Sequence, residues 1–489
     1  MIDHNQPYIT IIGAGVGGLC MGMQLKKAGF HNFVILEKRE GPGGTWRDNT
    51  YPGCACDVPS MFYSFSFETK RDWSRLFPGQ AEILGYLEDC VEKYALSPHL
   101  RCNVEVARAE FLEAEAHWRL TLSSGETLQT AVLVSSVGQL NRPAWPDLPG
   151  RESFRGVAFH SAEWDHRSDL SGKRVAVIGN GCSAAQFVPE VAKTAAEVSV
   201  FQRSAHWVIP RNDHAFSPAV LKAFQRFPLL VKLYRYFIWL RYEFTLFPIM
   251  RRTSRRRAKL EQAALEHMKA TIDDAQMIEA LTPDYEIGCK RVIVDDTYYP
   301  ALARDNVSLV TTAINQVTET GLALADGTER PFDAIIYGTG FRTNEFLTPM
   351  EITGLGGQRL NDAWRDGAEA HMGITVSGFP NFFMTYGPNT NLGHNSIIFM
   401  IEAQARYILQ CIEALNRRGL KYLNVRPEVQ SDFNAGLQKS LDEQSIWATG
   451  CASWYKNPAG KVVNNWKGTT VEYWFRTRHP IWSQFQEVA

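Results

Sequence analysis

The sequence carries no net charge to speak of, few cysteines, and no long apolar stretch free of charged residues. Its 51 Lys and Arg stand against 52 Asp and Glu, so no global field favours nucleic acid or an anionic partner. The nine cysteines are scattered over 489 residues and read as ordinary thiols of a reducing compartment. Cys54 and Cys56 are a lone Cys-x-Cys pair with no second pair or histidine cluster at zinc spacing, so no metal is expected. No Cys-x4-Cys pair follows the first glycine-rich turn, which disfavours disulfide reductase chemistry. Tyr8 to Leu25 is fairly apolar, but it holds Gly13, Gly15, Gly17 and Gly18 and lacks a basic leader or cleavage pattern. The expectation is a cytoplasmic protein.

What is present begins with a phosphate cradle. Tyr8-Ile-Thr-Ile-Ile12 is a β-branched run suited to a buried parallel strand, and it enters Gly13-Ala-Gly15-Val-Gly-Gly18. A helical pattern follows to Ala28, then a second strand, Phe33-Val-Ile-Leu36, ending at Glu37. Gly13, Gly15 and Gly18 permit a tight turn and close approach of a pyrophosphate to the helix N-terminus. Glu37 stands where a carboxylate accepts hydrogen bonds from a ribose diol. A second copy starts with Arg174-Val-Ala-Val-Ile178, turns at Gly179-Asn-Gly181-Cys-Ser183-Ala184, and continues to the strand Val198-Ser-Val-Phe201. There Gln202-Arg203-Ser204 replaces the acid. An arginine suits a 2′-phosphate, so the second nucleotide is expected to be NADP and the first FAD.

Length alone suggests about three units. Gly43-Gly44-Thr45-Trp46 can wrap the flavin side of FAD, with Tyr63 and Val106 as further candidate contacts. Ser124-Gly125 and Asp326-Gly327 read as hairpin turns. The expected fold is α/β, with two Rossmann-like dinucleotide-binding domains, the NADP domain inserted in the FAD domain, and an additional helical insert. The boundaries are 1–142 for the first part of the FAD unit, 150–212 and 286–330 for the NADP unit, 213–285 for the helical insert, and 331–489 for the second FAD part with the C-terminal segment. Within the insert, Leu229 to Met250 is interrupted by Lys232, Arg235, Arg241 and Glu243, which argues against a spanning helix. It reads first as a buried helix with a solvated basic end, and second as a peripheral membrane contact. Pro388 to Asn395 is a polar loop before a long helix, Ser396 to Leu415, with Asn395 as the expected cap and a helix N-terminus available to an anionic flavin.

Phe154-Arg-Gly156-Val-Ala-Phe-His160-Ser-Ala-Glu-Trp164-Asp165 matches F-x-G-x-x-x-H-x-x-x-W-[PD]. Gly43-Gly-Thr-Trp46 through Tyr51-Pro-Gly53 to Asp57 matches G-G-x-W-x4-Y-P-G-x3-D. In both strings the chain resembles the type I Baeyer–Villiger monooxygenases of the flavin-containing monooxygenase superfamily, and the resemblance runs from Gly13 to Trp454. It implies FAD and NADPH as cofactors, O2 and a small-molecule ketone as substrates, and an ester or lactone formed through a C4a-peroxyflavin. It implies that Lys290 helps hold the 2′-phosphate, that Arg291 faces the flavin as a catalytic residue with Asp57 as its partner, and that Trp454 touches the NADP ribose. The loop after Trp454, Lys456-Asn-Pro-Ala-Gly-Lys461, departs from the family's G-A-N-x-P-G-K. A permanently charged guanidinium can hold an oxygen anion without readily protonating it. Judged by chemistry alone, Asp57 and Arg291 would read as a structural ion pair. His160 and Trp164 read equally as struts fixing a linker. The rival functions are a sulfide- or amine-oxygenating flavin enzyme and an uncoupled NADPH oxidase or redox sensor.

Overall fold

A computed structural model describes residues 6–489. All four residues of strand β1 (Ile9–Ile12) are buried, as a strand covered on both faces of a parallel sheet requires. It pairs in parallel with β2 (Phe33–Leu36) on one side and β3 (Val132–Ser135) on the other. Strands Leu100–Arg101 and Phe382–Met384 extend the two edges. Helix α1 (Val16–Lys27) joins β1 to β2 and buries Leu19, Met23 and Leu25.

A second parallel sheet holds β4 (Val157–His160), β5 (Arg174–Ile178), β6 (Glu197–Phe201), β7 (Val307–Val310) and β8 (Ala334–Tyr337), in spatial order β7-β6-β5-β8-β4. Helix α2 (Cys182–Val191) links β5 to β6. The chain therefore crosses back later than residue 331, the expected start of the second FAD part. Strand β8 pairs with β5 and β4, and the first sheet is not rejoined until Phe382–Met384. A fully buried parallel strand has no sequence mark of the sheet it enters. Ser124-Gly125 lies between antiparallel strands His117–Leu122 and Thr127–Thr130, and Asp326-Gly327 lies between Gly321–Leu324 and Glu329–Pro331.

The insert is helical, with α3 (Pro218–Arg226) and α4 (Pro228–Thr245) divided at Pro228, where a first-turn proline costs no helical hydrogen bond. The expected burial of this segment is only half met. Helix α4 buries Val231, Arg235, Ile238 and Glu243 but leaves Leu229, Leu233, Phe237 and Phe244 exposed. Among the described residues, no helix is long and apolar enough to cross a membrane.

Helix α5 (Ile397–Arg418) packs on α1. Its cap is Ser396, whose hydroxyl accepts from the Ile398 N–H at 3.3 Å, so the expected Asn395 cap is displaced by one residue. Asn395 instead accepts from the Ser396 N–H at 2.9 Å and donates to Glu243 at 2.7 Å. Glu243 is a long-range partner that the local sequence could not reveal.

Candidate active site

A cavity of about 1240 Å³ opens at the carboxyl ends of both sheets and is lined by both glycine turns, the position at which open α/β sheets bind ligands. The glycines divide by role. A Cβ on Gly18 would lie 1.8 Å from the Gly13 carbonyl oxygen, so this glycine serves helix-to-strand packing. Ala184, its counterpart, is wholly buried in the core of the second sheet. Gly15 and Gly181 are different: each has an ordinary φ, −77° and −76°. A Cβ on Gly15 would meet nothing nearer than 3.6 Å, and one on Gly181 nothing within 4 Å. Nothing in the protein requires glycine there. The space each leaves faces the cavity, which fits a dinucleotide phosphate pressed against each turn.

The first turn is closed by its neighbours. Gly43 N–H donates to the Ala14 carbonyl at 2.9 Å, and Glu37 accepts from the Ala14 and Arg39 N–H groups at 2.8 and 2.9 Å. Glu37 is buried and retains lone pairs for a ribose diol. Trp46 donates from its indole nitrogen to the Tyr63 hydroxyl at 3.0 Å. Thr45, Trp46, Tyr63 and Val106 line the same cavity.

The second turn carries the cations. Arg203, Ser204 and Lys290 line the cavity there. Lys290 donates to the Ser204 hydroxyl at 3.1 Å and lies 4.4 Å over the Tyr285 ring. Burial lowers the Lys290 pKa from its ordinary value, Asp284 opposes this, and Arg203 adds to the lowering; two cations without a bound anion disfavour each other. Ser183 also lines the cavity, as does Trp454. Despite the altered loop that follows it, Trp454 is well held. Its carbonyl accepts from Thr343 at 3.1 Å and from Asn464 at 2.7 Å.

One expectation fails here. Cys289 and Cys451 form a disulfide, with Cα atoms 6.5 Å apart, so not all nine cysteines are free thiols. The two lie 162 residues apart, and pairing at that separation is set by the fold rather than by spacing. The bridge joins the segment of Lys290 and Arg291 to that of Trp454.

Asp57 and Arg291 come together as an ion pair, their side chains 23% and 39% exposed, and both line the cavity. The Asp57 charge raises the Arg291 pKa well above its ordinary value, so the guanidinium stays charged. Asp57 is delivered by a clamp between the two halves. Tyr51 donates to Gln186 of α2 at 3.0 Å, and Gln186 donates to the Ala55 carbonyl at 3.0 Å. Sequence reasoning missed this clamp and also Tyr386. Tyr386 lines the cavity with a left-handed φ of 59°, a strained setting for a bulky residue. Its hydroxyl donates to Asn391 at 2.7 Å and its N–H to Gln404 at 2.8 Å. Burial pushes the Tyr386 hydroxyl up, with the Arg291 charge pulling the other way. No motif marks it; only its place just before the polar loop at Pro388 could have drawn notice. Leu392, Ile397 and Ile401 give the cavity an apolar wall.

His160 and Trp164 do not line the cavity. His160 is wholly buried at the end of β4, accepts from the Ala162 N–H at 3.1 Å, and packs 5.5 Å from Trp145. Burial lowers its pKa to about 4, so it is neutral. Trp164 packs on Phe159 and Phe187 at 5.0 and 5.4 Å. Both are struts of the second sheet. Among the described residues, no cluster of His, Cys, Asp or Glu could hold a metal ion.

Comparison with known proteins agrees with this geometry. A family model for pyridine nucleotide-disulphide oxidoreductases matches residues 10–228. A Baeyer–Villiger monooxygenase of Pseudomonas aeruginosa is 43% identical over 477 residues, covering 96% of this chain and 89% of that protein. An oxidised steroid monooxygenase bound to NADP superposes with a TM-score of 0.88 at 28% identity, covering 99% of both chains. OTEMO in complex with FAD and NADP superposes with a TM-score of 0.89 at 26% identity, covering 99% of this chain and all of that one. With two glycine turns and the Asp57–Arg291 pair lining one cavity and a relative of this identity over almost its whole length, the chain belongs to the Baeyer–Villiger monooxygenase family.

Proposed function

We propose that the chain is an FAD-containing, NADPH-dependent monooxygenase that converts ketones to esters or lactones. The first sheet, with Gly15, Glu37, Trp46 and Tyr63, would hold FAD. The second, with Gly181, Arg203, Ser204 and Lys290, would hold NADPH. Bound FAD, reduced by NADPH, supplies the activation of O2. The protein's own contribution is electrostatic and steric. Arg291 stabilises negative charge on the reacting oxygen atoms and on the carbonyl oxygen as the new C–O bond forms. Asp57 holds that guanidinium in one orientation and keeps it charged. The apolar wall of Leu392, Ile397 and Ile401 excludes water that would divert the oxygen to hydrogen peroxide.

The observation that carries this reading is the Asp57–Arg291 ion pair in the cavity that both glycine turns line. A charge that only stabilised the fold would not need to face the cavity. The test is NADPH consumption by the holoenzyme on a panel of cyclic, linear and aryl ketones, with product analysis. Ester or lactone formed in proportion to NADPH supports the reading. Hydrogen peroxide as the sole product from every ketone, or oxygenation of sulfides and amines alone, contradicts it.

A further inference from the structure

Helix α4 is built inside out. Its outward stripe is apolar: Leu229, Leu233, Phe237 and Phe244 recur at helical spacing and are between 55% and 68% exposed. Of the ten exposed large apolar side chains among the described residues, eight fall between Val220 and Phe244. Two of its four charges, Arg235 and Glu243, point inward, while Lys232 and Arg241 are exposed. Arg235 donates to the Met61 and Ser64 carbonyls at 3.0 and 2.7 Å. Glu243 accepts from the Thr470 N–H and from Asn395, both at 2.7 Å. The helix cannot roll to hide its apolar stripe without stranding both of these buried charges.

The surroundings are cationic. Between Phe216 and Leu260 stand eleven Lys or Arg and one acid, Glu243. Glu243 is buried, and every one of the cations except Arg235 and Arg257 is exposed. This concentration sits in a chain whose net charge is −1. The basic run is tied to the end of α4, since Arg256 donates to the Phe244 carbonyl at 2.7 Å. Exposed apolar side chains rimmed by lysine and arginine are the composition of a helix lying in the plane of a membrane interface.

We infer that this face, α3 and α4 with the basic run after them, docks on the surface of an anionic lipid bilayer. The alternative occupant, a second copy of the chain, fits less well. A two-fold contact would press this cationic patch against itself. A bilayer satisfies both halves of the surface, taking the apolar stripe below its headgroups and the cations at its phosphates. The inference stands apart from the reaction proposed above and does not depend on it.

The test is sedimentation of the full-length, FAD-loaded protein with phosphatidylglycerol vesicles and with phosphatidylcholine vesicles, at low and at molar salt. The expected result is binding to phosphatidylglycerol that weakens with salt, with little binding to phosphatidylcholine. Phe237→Ser with Phe244→Ser should lower the bound fraction's partition constant about tenfold, and Leu229→Ser with Leu233→Ser should do so independently. Replacing Arg251, Arg252, Arg255 and Arg256 with Gln should abolish the preference for phosphatidylglycerol. Flavin content reports that each variant is folded. Equal or absent binding to the two lipids, or binding that the substitutions leave unchanged, overturns the proposal. A dimer in analytical ultracentrifugation that the Phe237 and Phe244 substitutions dissolve would assign the face to a second copy and also overturn it.

Discussion

Arg291 donates to the carboxylate of Asp57 across 234 residues of chain. The two reach each other because the Tyr51–Gln186 clamp presses the segment before Asp57 onto α2. In the proposed reaction Asp57 acts on Arg291 and not on the substrate. Asp57→Ala should therefore slow ester formation about tenfold, the lower end for loss of a hydrogen bond to a charged group. Flavin content should not change. An effect on FAD retention with no effect on ester yield would make Asp57 a structural residue only.

Gly15→Ala and Gly181→Ala separate the two cradles. The protein itself has room for either methyl group, so any defect reports the ligand. Gly15→Ala should yield a folded protein depleted of yellow flavin. Gly181→Ala should retain FAD and raise the KM for NADPH. Colourless protein from Gly181→Ala alone would reverse the order of the cofactors.

Arg203 is exposed at the end of β6 beside Ser204 and Lys290, and in the proposed binding mode these residues meet the 2′-phosphate that NADPH has and NADH lacks. Arg203→Ala should raise the KM for NADPH roughly tenfold to a hundredfold, the loss of about 1.5–3 kcal/mol expected for a charged hydrogen bond. Steady-state kinetics with NADH should be nearly unchanged. Equal losses with both nucleotides would remove Arg203 from phosphate recognition.

Two buried histidines give the fold an acid limit. Burial lowers both His160 and His371 to about 4, below the unfolded value near 6.5. Between those values the unfolded chain binds protons that the folded chain refuses, so their contribution to stability is complete above pH ~6.5 and is lost as pH falls toward 4. Each should cost on the order of 1–2 kcal/mol by pH ~5. Thermal melting of the holoenzyme should show a falling Tm from pH ~7 to ~5. A flat Tm over that range would show that the histidines ionise in place.

Local motifs were legible where chemistry is local. The turn at Gly13 to Gly18 and the exchange of Glu37 for Arg203 are confined to short stretches, and Gly13, Gly15, Glu37 and Arg203 line one cavity. What escaped depends on distance. Strand β8 reads the same in either sheet. Cys289 and Cys451 meet only because the fold brings together segments 162 residues apart. The outward stripe of α4 reads as a core stripe until Arg235 and Glu243 are seen to be anchored inside. Tyr386 is held by Asn391 and Gln404; the first lies in the polar loop at Pro388 and the second inside a helix, and neither marks a tyrosine upstream as its partner.

In the proposed reaction Arg291 stabilises negative charge during oxygen transfer, and the ester formed per NADPH consumed by Arg291→Ala measures that role. The variant should bind FAD and NADPH, and its rate of ester formation should fall by a factor on the order of 10²–10³. NADPH oxidation should then end in hydrogen peroxide. Arg291→Lys should restore little, because an ammonium lacks the planar fork and can give up a proton. If Arg291→Ala kept a near-normal ester yield per NADPH, Arg291 would be a structural partner of Asp57 with no part in oxygen transfer.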